Sequence, residues 1–448
     1  MFQNNKILIL GFARSGYEAA KLLIRRGNEV ILNDAKEEEK QDSLKVKELR
    51  DLGVQFVFGS HPDELLDSSF DYLIKNPGVP IDHKYVLKAR ELGIEVINEV
   101  EMAYRLIPEG VTIVGITGTN GKTTTTTLTY NILKNAYADR VVLAGNIGFP
   151  LSSVLEDLHK DTILVMEVSC QQGENFKEFH PHIGVVTNFS EAHIDFMKTY
   201  EHYKEVKARM FYKQDSNDIA ILNYSNADVM SELKNIKSQK KYFSSKEEVD
   251  GCYLKDRDIY YYGNKILSID EIKIKGMHNV ENCMAAIMVA KEMGVDDSII
   301  CQTIRDFKGV EHRLEYVDTV HGVEYYNDTE ATNIKCTQIA LSSFNKPIIL
   351  FLGGMERGQK FEDLTPYMDS VKAVIAIGTC RERVGEYARS IGKDVYVFEH
   401  LVDGFQKAVQ IAQDGDVVLL SPASASWDQY KECEVRGAEF KDQVKSII

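Results

Sequence analysis

The segment Val114-Gly115-Ile116-Thr117-Gly118-Thr119-Asn120-Gly121-Lys122-Thr123-Thr124 reads as a short apolar strand that enters a glycine-rich turn and leaves it through Gly-Lys-Thr into a helix. Small residues at such a turn let backbone N–H groups converge on phosphate oxygens at a helix N-terminus. Lys122 then neutralises the outer phosphates of a nucleotide, and the Thr123 hydroxyl ligates Mg²⁺. The spacing departs from the standard loop, because Ile116 rather than glycine lies five residues before Gly121. A bare turn carrying a solvated lysine is the alternative. The agreement of strand, turn, Gly-Lys-Thr and helix favours the phosphate site.

On either side of this segment, short apolar runs alternate with helix-period stretches, the mark of parallel α/β folds. Upstream, Lys6–Leu10 and Glu29–Leu32 read as strands flanking a helix from Gly16 to Gly27. Downstream, strands are expected at Val141–Leu143, Ile163–Met166, Ile183–Val186 and Ile219–Leu222. The Tyr- and Ile-rich stretch from about Lys241 to Lys275 reads as a small antiparallel insertion. A third unit is signalled by Val323–Tyr326, Ile348–Leu352, Ala373–Ile377, Val395–Phe398 and Val417–Leu420.

A chain of 448 residues calls for two to three cores. With 44% hydrophobic and 27% charged residues it is globular. A formal charge of −15 excludes a nucleic-acid surface but not a nucleotide site, which needs only a few local donors. Met1–Lys6 runs straight into a strand, and no apolar run reaches membrane-span length, so neither a signal peptide nor membrane insertion is expected. The seven cysteines are scattered without a CxxC pair, which predicts reduced thiols in the cytoplasm.

Further candidates lie at strand ends. Glu167 ends the strand Ile163–Met166, where α/β sheets place ligands. His193 and Asp195 follow Ile183–Val186, and a carboxylate with an imidazole there suits Mg²⁺ held against a nucleotide. Gly11-Phe12-Ala13-Arg14-Ser15-Gly16, with Asp34 closing the second strand, is similar to a dinucleotide fingerprint whose middle glycine is Ala13. A tight turn serving only the fold explains it as well as a ligand does.

Together these residues resemble the Mur ligases, and the resemblance spans essentially the whole chain. It implies three α/β domains: Rossmann-like over 1–107 (UDP-binding), P-loop ATPase-like over 108–309 (ATP-binding) and Rossmann-like over 310–448 (amino-acid-binding). It implies ATP and Mg²⁺ as cofactors, with Gly118, Thr119, Asn120, Gly121, Lys122, Thr123, Thr124, Asn279, Asn282, Arg313 and Asp328 at ATP. Thr123, Glu167, His193 and Lys207 would hold metal, Lys207 matching a family lysine that is carbamylated. A carbamate turns a cationic amine into an oxygen ligand for a hard cation. Lys122, His193, Lys207 and Arg313 would be catalytic. The Gly11–Gly16 turn, Asn76-Pro77-Gly78 and the Leu420–Tyr430 segment resemble the D-glutamate-adding members. That implies UDP-N-acetylmuramoyl-L-alanine and D-glutamate as substrates, a role in peptidoglycan synthesis and cell-wall biogenesis, and a monomer. Arg14, Ser15, Asp34, Gly78, Asn146, Ser169 and Gln172 would hold the UDP-sugar. Thr332, Arg357, Ser426 and Trp427 would hold the amino acid.

The pattern also has departures. Glu330 stands where the family has a lysine that contacts the amino acid, Arg357 where it has a second lysine, and Cys433 where it has phenylalanine. An acidic residue at 330 is expected to repel an acidic substrate unless it pairs elsewhere. A related ligase for another amino acid, a non-catalytic UDP-sugar-binding relative and a nicotinamide-dependent oxidoreductase using the Gly11–Gly16 turn stay open on the sequence alone.

Overall fold

The computed structural model describes residues 2–448. Three separate sheets organise the chain. The first holds β1 (Lys6–Leu10), β2 (Glu29–Asp34), β3 (Gln55–Phe58), β4 (Tyr72–Lys75) and β5 (Glu95–Ile97), all parallel, in the order β3-β2-β1-β4-β5. The second holds β6 (Thr112–Thr117), β7 (Val141–Gly145), β8 (Ile163–Glu167), β9 (Ile183–Val186), β10 (Ile219–Asn223), β11 (Gln239–Ser244), β12 (Gly251–Lys255), β13 (Asp258–Tyr261) and β14 (Asn264–Ser268). Their order is β14-β13-β12-β11-β10-β9-β6-β8-β7. Only β12–β13–β14 pair antiparallel, so the expected antiparallel insertion is confined to Gly251–Ser268, while β11 pairs parallel with both neighbours. The third holds β15 (Glu315–Val320), β16 (Val323–Asn327), β17 (Ile348–Gly353), β18 (Val371–Ile377), β19 (Asp394–Val397) and β20 (Val417–Leu420), in the order β15-β16-β20-β17-β18-β19.

Contacts group the chain into two compact units. Met1–Ile269 with Glu281–Ile304 forms the first, and Asp270–Val280 with Arg305–Ile448 the second. The first unit contains two of the sheets because one apolar core serves both. Ile7, Leu23 and Val100 share a cluster with Leu151, Leu164 and Met166. In the second unit the sheet is covered on both faces. Ile348, Leu350 and Leu352 of β17 belong to one core, and Ile349 and Phe351 to another. That is the period of two expected of a strand buried on both sides. All seven cysteines are free. Among the described residues, no helix is long and apolar enough to cross a membrane.

Candidate active site

The turn after β6 is closed by backbone geometry that only glycine tolerates at two points. Gly118 has φ +146° and a side chain there would collide with the Thr187 hydroxyl, while Gly121, at φ +81°, lies against the Asn282 side chain. Thr119 N–H donates to the Asn188 carbonyl (2.8 Å) and Asn120 N–H to Asn188 Oδ1 (3.1 Å), which pins the turn to the strand end of β9. The helix Lys122–Tyr137 starts directly behind it. Lys122 Nζ donates to the carbonyls of Gly118 (3.1 Å) and Thr119 (3.0 Å), so its ammonium sits over the turn. Thr125 Oγ1 donates to Asn282 Oδ1 (3.2 Å), placing Asn282 at the same helix.

A cleft of about 390 Å³ opens in front of this turn. Lys122, His193, Lys207, Asn146 and Ser169 line it together with Pro77, Gly78, Cys170 and Gln171. Carboxyl-terminal strand ends build it, as the rule for α/β sheets requires. Glu167, the last residue of β8, is 1% exposed; Oε1 accepts from Asn146 Nδ2 (2.6 Å), and Oε2 is buried with no hydrogen-bond partner. An orphaned carboxylate oxygen is costly unless a cation or donor meets it, and it suits a hard divalent ion. His193 adopts a left-handed conformation (φ 55°) ahead of the short helix Ile194–Met197, which turns its ring to the cleft. The Asp195 side chain lies outside what the structure describes. Lys207, on the helix Tyr200–Tyr212, donates to the Gly118 carbonyl at 2.6 Å. Burial holds its amine down to about 7, with Lys122 pushing the same way and Glu167 opposing. Tyr203, four residues earlier on the same helix face, donates to Thr119 Oγ1 (2.9 Å). Sequence reading missed Tyr203, Cys170 and Gln171; the four-residue spacing to Lys207 was the one signal available for Tyr203.

The residues expected at the UDP-sugar divide by use. Asp34 accepts from Phe12 N–H (2.7 Å) and Lys36 N–H (2.8 Å), and Ser15 Oγ accepts from Asn76 Nδ2 (3.0 Å), so both tie the Gly11–Gly16 turn to its neighbours. Arg14 opens the helix Arg14–Arg25 beside them. Gly78 N–H donates to Asn76 Oδ1 (3.1 Å) and Gly78 faces the cleft. Gln172 is spent in a capping box with Ser169 at the helix Cys170–Gly173, and Gln171 is the glutamine that reaches the cleft wall.

The second unit carries its own cluster. Asp328 is buried; it accepts from Ser421 Oγ (2.7 Å) and Leu314 N–H (3.0 Å), and burial raises its carboxyl to about 7. Arg313 pairs with Glu330 at 3.3 Å, which answers where the acidic departure points. Cys433 lies near Glu330 and Glu434, and burial pushes its thiol up to about 12. Arg357 stacks its guanidinium over Trp427 (5.5 Å), both on the surface, with Thr332 in the loop after Asp328. Ser426 is buried with its hydroxyl unpartnered. Asn279 Nδ2 donates to the Lys275 carbonyl (2.8 Å).

Comparison with known proteins matches all three sheets. Residues 5–98 match the Mur ligase MurD-like N-terminal domain, 116–290 the Mur ligase middle domain, and 312–424 the Mur ligase glutamate ligase domain. The chain is 44% identical over 448 residues to a UDP-N-acetylmuramoylalanine--D-glutamate ligase of Streptococcus agalactiae, covering 100% of this chain and 98% of that one. It is 42% identical to the protein of that name from Geobacillus kaustophilus, again covering 98% of its length. The chain belongs to the Mur ligase family. As a Mur ligase it is an ATP-dependent carbon–nitrogen ligase with three α/β domains. Solved Mur ligases share the fold at low identity. MurF from Acinetobacter baumannii superposes with TM-score 0.61 at 15% identity over 97% of this chain and 93% of that one. MurC from Thermotoga maritima gives 0.59 at 17% over 99% of each.

Proposed function

We propose that this Mur ligase joins D-glutamate to the L-alanine carboxyl of UDP-N-acetylmuramoyl-L-alanine in the cytoplasm, as a step of peptidoglycan precursor synthesis. The domains divide as 1–107, 108–309 and 310–448. The observation that carries this reading is the single cleft onto which Lys122 of the phosphate turn, Glu167's neighbour Asn146, Lys207 and the Pro77–Gly78 wall all open. A nucleotide phosphate and a sugar-linked carboxylate would meet there. The full-length relationship to ligases of that name supplies the substrates.

The carboxylate takes the γ-phosphoryl group of ATP, giving an acyl phosphate and ADP. The glutamate amine adds to the acyl carbon, and the tetrahedral adduct expels phosphate. Lys122 would leave the turn carbonyls for the phosphates, where its charge offsets that of the transferring group. Asn146 holds Glu167 in one rotamer, leaving the second oxygen aimed at solvent-free space. Thr123, Glu167, His193 and Lys207 would hold Mg²⁺. Bound there, the ion supplies charge neutralisation on the phosphate oxygens. Lys207 fits that set only as an anion, and the low basicity of its buried amine favours the neutral form that adds CO₂ to become a carbamate. The resemblance would give ATP roles to Asn282 in the first unit and to Asn279, Arg313 and Asp328 in the second, and amino-acid roles to Thr332, Arg357, Ser426 and Trp427.

A coupled phosphate-release assay with UDP-N-acetylmuramoyl-L-alanine, ATP and a panel of amino acids tests the reading. Release is expected only with all three substrates and with D-glutamate preferred. One observation favours a second reading: Glu330 and Cys433, which stand at positions the resemblance gives to the amino-acid site, cluster with Glu434, so carboxylates gather there. Preference for a neutral or basic amino acid in the panel establishes that alternative and rejects the first.

A further inference from the structure

The second unit buries a charge that nothing near it balances. Arg436, on the helix Cys433–Lys445, is 1% exposed. Its guanidinium ties together loops that follow strands of the third sheet. Nε donates to Thr329 Oγ1 (2.9 Å), and Nη2 donates to the carbonyls of Thr329 (3.0 Å) and Ser424 (3.1 Å). Thr329 Oγ1 donates in turn to the Cys433 carbonyl (2.9 Å), which locks the loop after β16 to the start of the same helix. The loop after β17 closes over the remaining nitrogen. Gly354 has φ +154°, and a side chain there would lie 2.4 Å from the Ala425 carbonyl and 3.0 Å from Arg436 Nη1. Arg436 thus sits where the loops after β16, β17 and β20 converge, and these loops carry Thr332, Arg357 and Ser426. The order β16-β20-β17 sets the carboxyl ends of the three strands side by side, where α/β sheets bind ligands.

Folding alone does not call for a charge at this place. Nη1 is buried with no hydrogen-bond partner, and Arg436 forms no ion pair among the described residues. Cys433 and Tyr430 are the groups it feels most strongly, and burial keeps both neutral at pH 7. Asp428 acts more weakly than either and already accepts from Thr379 N–H (2.9 Å); Cys380 is weaker still. Burial lowers the guanidinium only to about 10, so it keeps its proton at neutral pH. A buried charge without a counter-ion destabilises a fold, and an unmatched buried donor adds to that. Neutral donors would tie the same carbonyls without either penalty. Surplus positive charge and an open N–H both answer to an anion.

We propose that Arg436 sets the preference of this ligase for an acidic amino acid, as a positioning residue that does not touch the substrate. It holds the three loops in register and gives the place where they meet a fixed positive charge. That charge offsets the carboxylates of Glu330 and Glu434, which gather at Cys433. The inference rests on the D-glutamate reading above and adds to it the residue that lets an acidic substrate be accepted despite Glu330.

Steady-state phosphate release by the full chain tests it, with wild type, Arg436→Gln and Arg436→Lys compared. Arg436→Gln is expected to raise the KM for D-glutamate about tenfold or more, with those for ATP and UDP-N-acetylmuramoyl-L-alanine changed by no more than about twofold. Arg436→Lys keeps the charge but puts it on an amine whose proton burial weakens. Its KM for D-glutamate, taken as a ratio to wild type at the same pH, should therefore climb about tenfold between pH 7 and pH 9. A residue that only supports the fold would give a ratio flat in pH, so the lysine series decides the matter even where Arg436→Gln does not fold. An unchanged KM for D-glutamate in Arg436→Gln, an equal rise for D-glutamate and ATP, or a flat lysine ratio overturns the proposal and leaves the D-glutamate reading standing. Wild type that prefers a neutral or basic amino acid overturns both.

Discussion

Lys122 rests on the Gly118 and Thr119 carbonyls rather than in solvent, so the turn keeps its charge at the place where phosphates would arrive. Replacing it by alanine is expected to cost on the order of 10²-fold or more in turnover, with UDP-sugar affinity nearly unchanged because the Gly11–Gly16 turn is built from other residues. Turnover near wild type, read from phosphate release, would remove the phosphate-site assignment. Glu330 needs a different treatment from the one the sequence invites. Bare Coulomb attraction or repulsion at about 4 Å and an effective dielectric near 20 is roughly 4 kcal/mol. The Arg313–Glu330 pair, however, is partly open to water on both sides, at 43% and 26% exposure. Screening brings such a pair to about 0.2–1 kcal/mol. Glu330→Gln is therefore expected to free Arg313 and lower the KM for ATP by about two- to fivefold, with a smaller change in the KM for D-glutamate. A tenfold fall for D-glutamate with ATP unmoved would instead put Glu330 inside the amino-acid site.

The helix Glu99–Tyr104 shows how the first sheet is fastened to the second. Asn98 caps it by accepting from Glu101 N–H (2.9 Å) and reaches across with its amide to the Gln172 carbonyl. Glu101, fully buried, accepts from three successive amides, Lys177, Glu178 and Phe179, each at 3.0 Å, and from Arg105 Nε at 2.9 Å. Glu101→Ala strands those three amides and leaves Arg105 with Glu95 alone, and the expected loss is about 3–5 kcal/mol. Amide exchange at 177–179 should accelerate along with a lower urea midpoint; unchanged exchange there would mean that the loop is held by something else. None of this fastening was legible beforehand. The apolar runs β6, β8, β17 and β18 announced themselves, since each carries five or six consecutive buried residues in a segment too short for a buried helix. The strands β3, β4 and β5 are three or four residues long and went unread. Runs that short carry too little periodicity to stand apart from loop. The cleft was legible where its chemistry is local, at Lys122 in the Gly-rich turn. It was not legible where tertiary packing supplies it, as with Cys170 and Gln171 on the cleft wall.

Acid and base act on the whole chain through its buried carboxyls as well as its net charge. Glu99 is fully buried, accepts from Ser152 N–H (2.5 Å) and feels Glu18 on the helix Arg14–Arg25; burial raises it from 4.5 to about 6. Between those two values the folded chain binds more protons than the unfolded one. The stabilising contribution is thus fully present below about pH 4.5 and is lost as pH rises through about 6. At neutral pH the ionised buried carboxylate leaves the fold about 2 kcal/mol weaker than the protonated form would. Self-repulsion works in the same direction. The chain carries −15 at pH 7 and approaches neutrality near its isoelectric point of 5.3, so unfolding midpoints should fall from pH 5 towards pH 8 for both reasons. Glu99→Gln separates them. The amide oxygen still accepts from Ser152, but the charge that must be desolvated is gone, while the global charge changes by only one. The variant is expected to match wild type near pH 4.5 and to exceed it by about 2 kcal/mol at pH 7.5, read as the denaturant midpoint of the first unfolding transition across a pH series. A constant offset at every pH would assign the effect to packing, and a variant weaker than wild type at pH 7.5 would show that Glu99 is held ionised by a partner stronger than Ser152.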